Sequence, residues 1–319
     1  MRLVIALGGN AMIGADGSAG PRDQRAAIVT AMAAVADLVK AGHEIVLTHG
    51  NGPQVGNLLL KNELAADTVP PVPLDWCGAQ TQATIGMLIL NALDDALAVR
   101  GHSSRSAALV SRTLVAHDDP GFTRPTKPIG RYASAEEASL MIDHGQHWVE
   151  SGARGWRRVV ASPEPIKSLD YEAAAVLIAA GYVVVCSGGG GIPTIWREGE
   201  GYSGVEAVID KDLSAALLAE QVGADALVIA TDVEAAVIGW GTPQARPLGE
   251  VTTTELRDLA SQGHFAAGSM GPKVEAVTRF AERTGQIGVI TSLPQIEGAV
   301  AGATGTRVVP ATPQPSTSS

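Results

Sequence analysis

Arg2-Leu3-Val4-Ile5-Ala6-Leu7-Gly8-Gly9-Asn10 and His43-Glu44-Ile45-Val46-Leu47-Thr48-His49-Gly50-Asn51-Gly52 are the two stretches whose reading decides the fold. Each is a short apolar run that breaks into glycines. Apolar runs of this length, bounded by turn residues, read as strands buried on both faces. Between them, Gln24–Lys40 has apolar residues at three-to-four spacing (Ile28, Met32, Val35, Leu38), the period of a helix with one buried face. Gly42 stands where a helix stop belongs. Strand, helix, strand is the repeating unit of a parallel sheet.

The alternation continues along the chain. Pro53 occupies a first helical position after the second glycine cluster. A helix is expected over Gln80–Leu97 and a strand over Ala107–Val110. Further on come helix Asp170–Ala180, strand Tyr182–Cys186, helix Lys211–Gln221 and strand Ala226–Thr231. Helices Thr252–Gln262 and Lys273–Arg283 follow, then strands Gln286–Thr291 and Thr306–Val309. The pattern predicts an α/β fold, one mainly parallel sheet with helices on both faces, over residues 1–309. Residues 118–165 interrupt the rhythm. They hold several prolines and the basic side chains Arg124, Lys127, Arg131, Arg154, Arg157 and Arg158, and read as an inserted subdomain or lid. Residues 310–319 are rich in Pro, Ser and Thr and read as a disordered tail.

Composition narrows the function. Hydrophobic residues make up 45% and charged residues 18%, which suits a large core and argues against global disorder. A net charge of −10 disfavours a nucleic-acid partner. Cys77 and Cys186 are far apart, with no CxxC spacing, so a zinc finger or disulfide framework is not expected and a reducing, cytoplasmic compartment is. The apolar start is too brief for a signal peptide, and no run approaches the ~20 apolar residues of a membrane span.

In open α/β sheets, ligands bind beyond the carboxyl ends of the strands. Three expected strands end in glycines there: Gly8-Gly9, Gly50-Asn51-Gly52 and Ser187-Gly188-Gly189-Gly190-Gly191. One such cluster is as readily a plain turn. Three together favour a shared anion cradle of backbone N–H groups. The P-loop pattern GxxxxGK(S/T) is absent, and Gly50 to Gly56 is one residue too long for GxGxxG. Lys127, Lys211 and Lys273 each adjoin a turn element. Any one lysine is ordinarily a solvated surface charge, but Lys211 reads as lying at a strand-to-helix junction, between Asp210 and Asp212. Phosphoryl transfer needs positive charge around the equatorial oxygens and little covalent chemistry. Asp210 reads either as a helix N-cap or as a group that organises lysines or magnesium. Asp232 follows a strand and faces the same end. His144 and His147 lack supporting ligands for a metal, and Ser269 lacks both the first glycine and the preceding strand of a nucleophile elbow.

These residues carry a resemblance to a known family. Ala6-Leu7-Gly8-Gly9-Asn10, Thr48 to Gly56, Pro125-Thr126-Lys127-Pro128-Ile129-Gly130, Arg154 to Val160, Ser187 to Pro193, Val208 to Leu213 and Gly268 to Lys273 together resemble the carbamate kinases of the amino acid kinase superfamily. The likeness runs from about residue 2 to 309. The segment Asp75-Trp76-Cys77-Gly78-Ala79-Gln80-Thr81 strengthens it. It implies a three-layer αβα sandwich, a homodimer, ATP or ADP with Mg2+, a role in arginine metabolism, and reversible transfer between ATP and carbamate. It implies that Lys127, Lys211 and Lys273 surround the transferring group and that Asp210 organises them. Gly8, Gly9, Asn10, Gly50, Asn51, Gly52, Ser187, Gly188, Gly189 and Gly190 would hold the acceptor. Lys211, Asp212, Thr231, Asp232, Val233, Met270, Gly271 and Lys273 would hold the nucleotide. No residue is assigned as a metal ligand. The chain departs from the family at Ala161, Glu234 and Gly239, and over residues 131–153. A superfamily kinase acting on another small carboxylate or a nucleoside monophosphate is the competing expectation, and a nucleotide sensor without turnover is a third.

Overall fold

The computed structural model describes residues 1–9, 20–103, 105–266 and 268–311. Asn10 and residues 312–319 of the expected tail lie outside these. Eight strands form the central sheet. In spatial order they are Glu250–Thr252, Thr306–Val309, Ile287–Ser292, Ala226–Thr231, Arg2–Leu7, Glu44–His49, Tyr182–Val185 and Arg105–Ala108. All neighbours pair in parallel except Thr306–Val309 against Ile287–Ser292.

Alternation within the central strands sorts side chains between two cores. Leu3, Ile5 and Leu7 point to one face, with Ile45, Leu47, Val183 and Val185. There they meet helices α1 (Pro21–Lys40), through Ile28, Met32 and Val35, and α3 (Leu74–Val99), through Ile85, Ile89 and Leu93. Val4 and Ala6 point to the other face, with Val46, Val184, Leu227 and Ile229. That face is covered by α5 (Tyr171–Ala179), α6 (Lys211–Gln221), α7 (Thr253–Ser261) and α8 (Met270–Thr284). The three-layer αβα arrangement expected from the chain is the one observed.

Element boundaries moved for identifiable reasons. Helix α1 begins at Pro21, because a first-turn proline loses no hydrogen bond. Helix α3 begins at Leu74, directly after Pro73. The expectation that no segment could span a bilayer needs one correction. Helix α3 is long and apolar enough by composition to do so. It nevertheless packs one face on α1 and the sheet, as the core helix of a folded domain does.

A four-stranded sheet, Gly201–Gly204, Ile192–Arg197, Arg112–Leu114 and Lys167–Ser168, escaped the sequence reading. Three of its strands have four residues or fewer, and the first, Gly201-Tyr202-Ser203-Gly204, has no aliphatic residue, so no apolar period marks it. Within 118–165 the chain forms a three-stranded antiparallel sheet, Lys127–Ala133, Trp156–Val160 and His147–Glu150, with helix α4 (Ala135–Asp143) against it. Ile129 and Val160 of this sheet share a small core with Val55 and Leu59 of α2 (Gly52–Ala65) and with Leu74 and Cys77 of α3. Gly56 of α2 lies so near Gly130 that a Cβ on Gly56 would stand 3.0 Å from its Cα. The sheet therefore rests on the helix that follows the second glycine cluster.

Candidate active site

The register of the sheet brings the strand ends level. Leu7 lies opposite His49 on one side and Ala230 on the other. The Gly8 N–H donates to the Ala230 carbonyl at 2.8 Å, and the Gly50 N–H donates to the Leu7 carbonyl at 3.1 Å. A Cβ on Gly8 would stand 2.8 Å from that Ala230 oxygen, so glycine is required for the close approach.

Helix α6 starts at this end. Asp210 is its N-cap: Oδ1 accepts from the backbone N–H groups of Asp212 (2.9 Å) and Leu213 (3.3 Å). Oδ2 of the same carboxylate accepts from Lys127 Nζ at 2.8 Å. One side chain thus fills both roles weighed for it, and it draws in a lysine from the three-stranded sheet. Asp212 holds the other two lysines: Oδ1 accepts from Lys211 Nζ at 2.5 Å and Oδ2 from Lys273 Nζ at 3.0 Å. Asp212, expected on the nucleotide side, is therefore the carboxylate between Lys211 and Lys273.

Three ammonium groups against two carboxylates leave one positive charge (3 − 2 = 1), beside the first turns of α6 and α8. Helix N-termini add partial positive charge of their own. The Asp212 side chain is only 4% exposed. Burial alone would push its carboxyl up, but the Lys211 and Lys273 ammonium groups outweigh that and hold it below its ordinary range. Burial pushes the Lys211 ammonium down, with Lys273 reinforcing the shift and Asp212 opposing it. Lys211 passes over Gly50, where a Cβ would stand 3.3 Å from its Cδ.

The long glycine run lies beneath this cradle. Gly188, Gly189 and Gly190 are buried. A Cβ on Gly188 would meet the His49 imidazole at 2.3 Å, and one on Gly189 the Asn51 amide at 2.1 Å. Gly189, Gly190 and Gly191 all have positive φ, and Ser187 is left-handed at φ 53°. Buried polar groups hold the run in place. Thr48 Oγ1 donates to the Ser187 carbonyl at 2.9 Å, and the Ser187 N–H donates to Ser111 Oγ at 2.6 Å. Gln82 Nε2 donates to the Gly188 carbonyl at 2.8 Å, and Thr113 Oγ1 and Ser214 Oγ donate to the Gly190 carbonyl. Asn51 Nδ2 donates to Thr81 Oγ1 at 2.9 Å. Sequence reasoning missed Gln82, Ser111, Thr113 and Ser214. For Gln82 a signal existed: it lies on the same helical face as Ile85 and Ile89, where a polar residue needs a partner. His49 is buried, and burial lowers its imidazole to about 4, with Nδ1 against the Gly50 carbonyl at 2.9 Å. It is neutral at pH 7.

Beside the lysines lies a cavity of about 460 Å³ lined by Thr231, Asp232, Val233, Met270 and Lys273. Trp240 and His264 also line it and were not picked out as nucleotide residues from sequence. A second cavity, about 550 Å³, is lined by Gly8, Gly9 and Glu234 and shares Thr231, Asp232 and Lys273 with the first. Lys273 thus faces both spaces. Two family departures, Gly239 and Glu234, lie on these walls. Gly271 packs instead on the Ala266 carbonyl, which accepts its N–H at 2.9 Å. Gly52 is exposed, as the first residue of α2. Asn10 lies outside the described residues.

Comparison with known proteins shows the family and agrees with the fold. The profile of the amino acid kinase family matches residues 1–292. A carbamate kinase of Trichomonas vaginalis is 43% identical over 97% of this chain and 100% of its own length. One from Thermococcus kodakarensis is 44% identical over 97% of this chain and 99% of its own. The solved carbamate kinase of Giardia lamblia bound to AMP-PNP superposes with a TM-score of 0.91 at 42% identity, over 97% of this chain and 98% of that one.

Asp212 keeps two partly buried ammonium groups compensated, so Asp212→Asn is expected to lower the unfolding free energy by ~3–5 kcal/mol at neutral pH, the scale for breaking a buried ion pair from one side. The folded carboxyl titrates below its ordinary value of 3.8, so its contribution is present above that pH and is lost as pH falls through the folded value. Urea titrations should therefore show a wild-type advantage that is full at pH 7 and closes below pH 3.8. Equal stability of the two proteins at pH 7 would refute the role.

Proposed function

The chain belongs to the amino acid kinase family, and on that premise we propose that it transfers a phosphoryl group reversibly between ATP and carbamate, forming ADP and carbamoyl phosphate. The observation that carries this reading is the convergence of Lys127, Lys211 and Lys273 on Asp210 and Asp212 beside paired cavities. Its full-length relatives named as carbamate kinases support the acceptor.

The chemistry follows from the charges. A carbamate oxygen is already anionic, so its attack on the γ-phosphorus requires no general base. His49, buried and neutral, is in keeping with that economy. The difficulty is bringing two anions together. The lysines offset the repulsion, and the two aspartates hold them in place before substrate arrives, so little reorganisation is needed as charge moves. As the new P–O bond forms, the bond to the β–γ bridging oxygen breaks, and negative charge passes to ADP. The nucleotide base and ribose occupy the space walled by Val233, Met270 and Trp240, and its phosphates reach Lys273. The acceptor lies on the Gly8, Gly9 and Gly50 side. Among the described residues no group of three His, Cys, Asp or Glu side chains converges on one point. Mg2+ carried on the nucleotide phosphates would neutralise part of their charge. A cytoplasmic homodimer serving arginine metabolism belongs to the same proposal and is supported by the family likeness.

The three-stranded sheet is the proposed lid. It contributes Lys127, and it rests on α2, so closure would move both. Limited proteolysis should show cleavage within 118–165 slowed by ADP with carbamoyl phosphate. Identical cleavage with and without them would argue against closure.

The reaction is tested by ATP formation from ADP, Mg2+ and carbamoyl phosphate, read by luciferase. Wild-type protein should make ATP, and Lys211→Ala should lower turnover by ~10²–10³-fold, the scale for losing one preorganised charge-stabilising group. No ATP above background from folded wild-type protein would reject carbamate and point to other acceptors. Near-normal turnover in a folded Lys211→Ala would reject the role of that lysine.

A further inference from the structure

A third cavity, about 620 Å³, lies away from the lysines and shares no residue with the two cavities beside them. Its volume falls in the ordinary range for small-ligand pockets. One wall is α2, which presents Leu59 and Glu63 four residues apart on one helical face. The opposite wall is the three-stranded sheet with α4, which presents Arg158 and Met141. The segment before α3 closes the side with Val72, whose carbonyl is fixed by the Asn62 amide at 3.0 Å.

The walls carry one positive side chain, Arg158, and two carboxylates, Glu63 and Glu206; Glu206 accepts the Leu74 N–H at 3.0 Å, and the charge of Glu63 also acts on Arg131. Arg158 is half-buried in the central strand of its sheet, opposite Ile129 and Trp148. Among the described residues it makes no ion pair and donates no side-chain hydrogen bond. A guanidinium held partly out of water without a direct ion pair is unfavourable, and it has five donors to offer. Glu63 is half-buried across the cavity and likewise makes no ion pair. Both residues also line the narrow cavity adjoining this one, so they face a common space. Opposite charges that share a space without meeting leave a gap that a molecule with both charges can bridge. The surfaces around them, Leu59, Val72 and Met141, are apolar.

We propose that this cavity binds a free α-amino acid with an apolar side chain, its carboxylate on Arg158, its ammonium on Glu63 and its side chain against Leu59, Val72 and Met141. Such a ligand touches both α2 and the three-stranded sheet. Helix α2 leads out of Gly50-Asn51, and the sheet carries Lys127, so occupancy bears on how the two parts of the cradle are held together.

The test uses the full chain, with L-leucine and L-methionine as probes in calorimetry and thermal-shift titrations. 4-Methylpentanoate, which lacks the amine, and isoamylamine, which lacks the carboxylate, serve as controls. Saturable binding of an amino acid is expected, with both controls at least about tenfold weaker, as loss of one charge-assisted contact implies. Arg158→Met and Glu63→Gln should each weaken the amino acid by a similar factor. Circular dichroism establishes folding, and Glu63→Gln, which keeps the size and shape of the side chain, provides a second variant if Arg158→Met does not fold. The proposal is overturned if neither amino acid binds wild-type protein, if 4-methylpentanoate or isoamylamine binds as tightly, or if a folded variant binds like wild type.

Discussion

A nearly dry carboxylate, Asp212, holds two ammonium groups together at the start of helix α6. Like charges placed so near would otherwise drive each other apart, and burial would favour neutral lysine. Asp212 resolves both difficulties at once, and Asp210, two residues earlier, repeats the arrangement for Lys127. The consequence is a patch of positive charge already assembled in the resting protein. Its direction is set by the register of the sheet, because the strands Arg2–Leu7, Glu44–His49 and Ala226–Thr231 all end at this level.

The glycine clusters make that assembly sterically possible in two different ways. Gly8 and Gly50 allow backbone and Lys211 to pass close at the open end of the sheet. The run from Gly188 to Gly191 works below, where it packs against His49, Asn51, Ile209 and Thr113 and leaves no space for a Cβ. Its carbonyls are met by Gln82, Thr113 and Ser214, so a strained, buried segment has its polar groups satisfied. The floor of the site is rigid for this reason. By contrast, the Lys127 side of the site belongs to a sheet that joins the domain through the small core around Val55, Leu59, Ile129 and Val160. The site therefore combines a fixed floor with a wall whose position depends on a separate and smaller core.

Two of the departures from the family pattern, Gly239 and Glu234, lie on the cavity walls and not among the lysines. Trp240 and His264 line the cavity expected for the base, and Gly239 with positive φ shapes the turn before Trp240. These are residues where the chain leaves the family pattern or where no motif drew attention. In the proposed function they bear on which nucleotide is preferred, whereas the lysines and aspartates bear on the reaction class.

By itself the sequence determined the layered α/β fold, since buried parallel strands announce themselves as continuous apolar runs and their helices as three-to-four repeats. It also marked the three lysines and the glycine clusters, because turn chemistry and strand ends are local properties. Helix Lys211–Gln221 and strand Ala226–Thr231 were legible to the residue, having clear caps or edges. What only the tertiary structure decided was partnership. Lys127 and Asp210 are 83 positions apart, and Lys273 and Asp212 are 61 apart, so no periodicity could pair them. The same holds for Gln82 beneath Gly188, for Arg158 and Glu63 across a common cavity, and for the four-stranded sheet of short strands. Each depends on where distant segments meet once the two cores have closed, and that is a property of packing, not of any local stretch of chain.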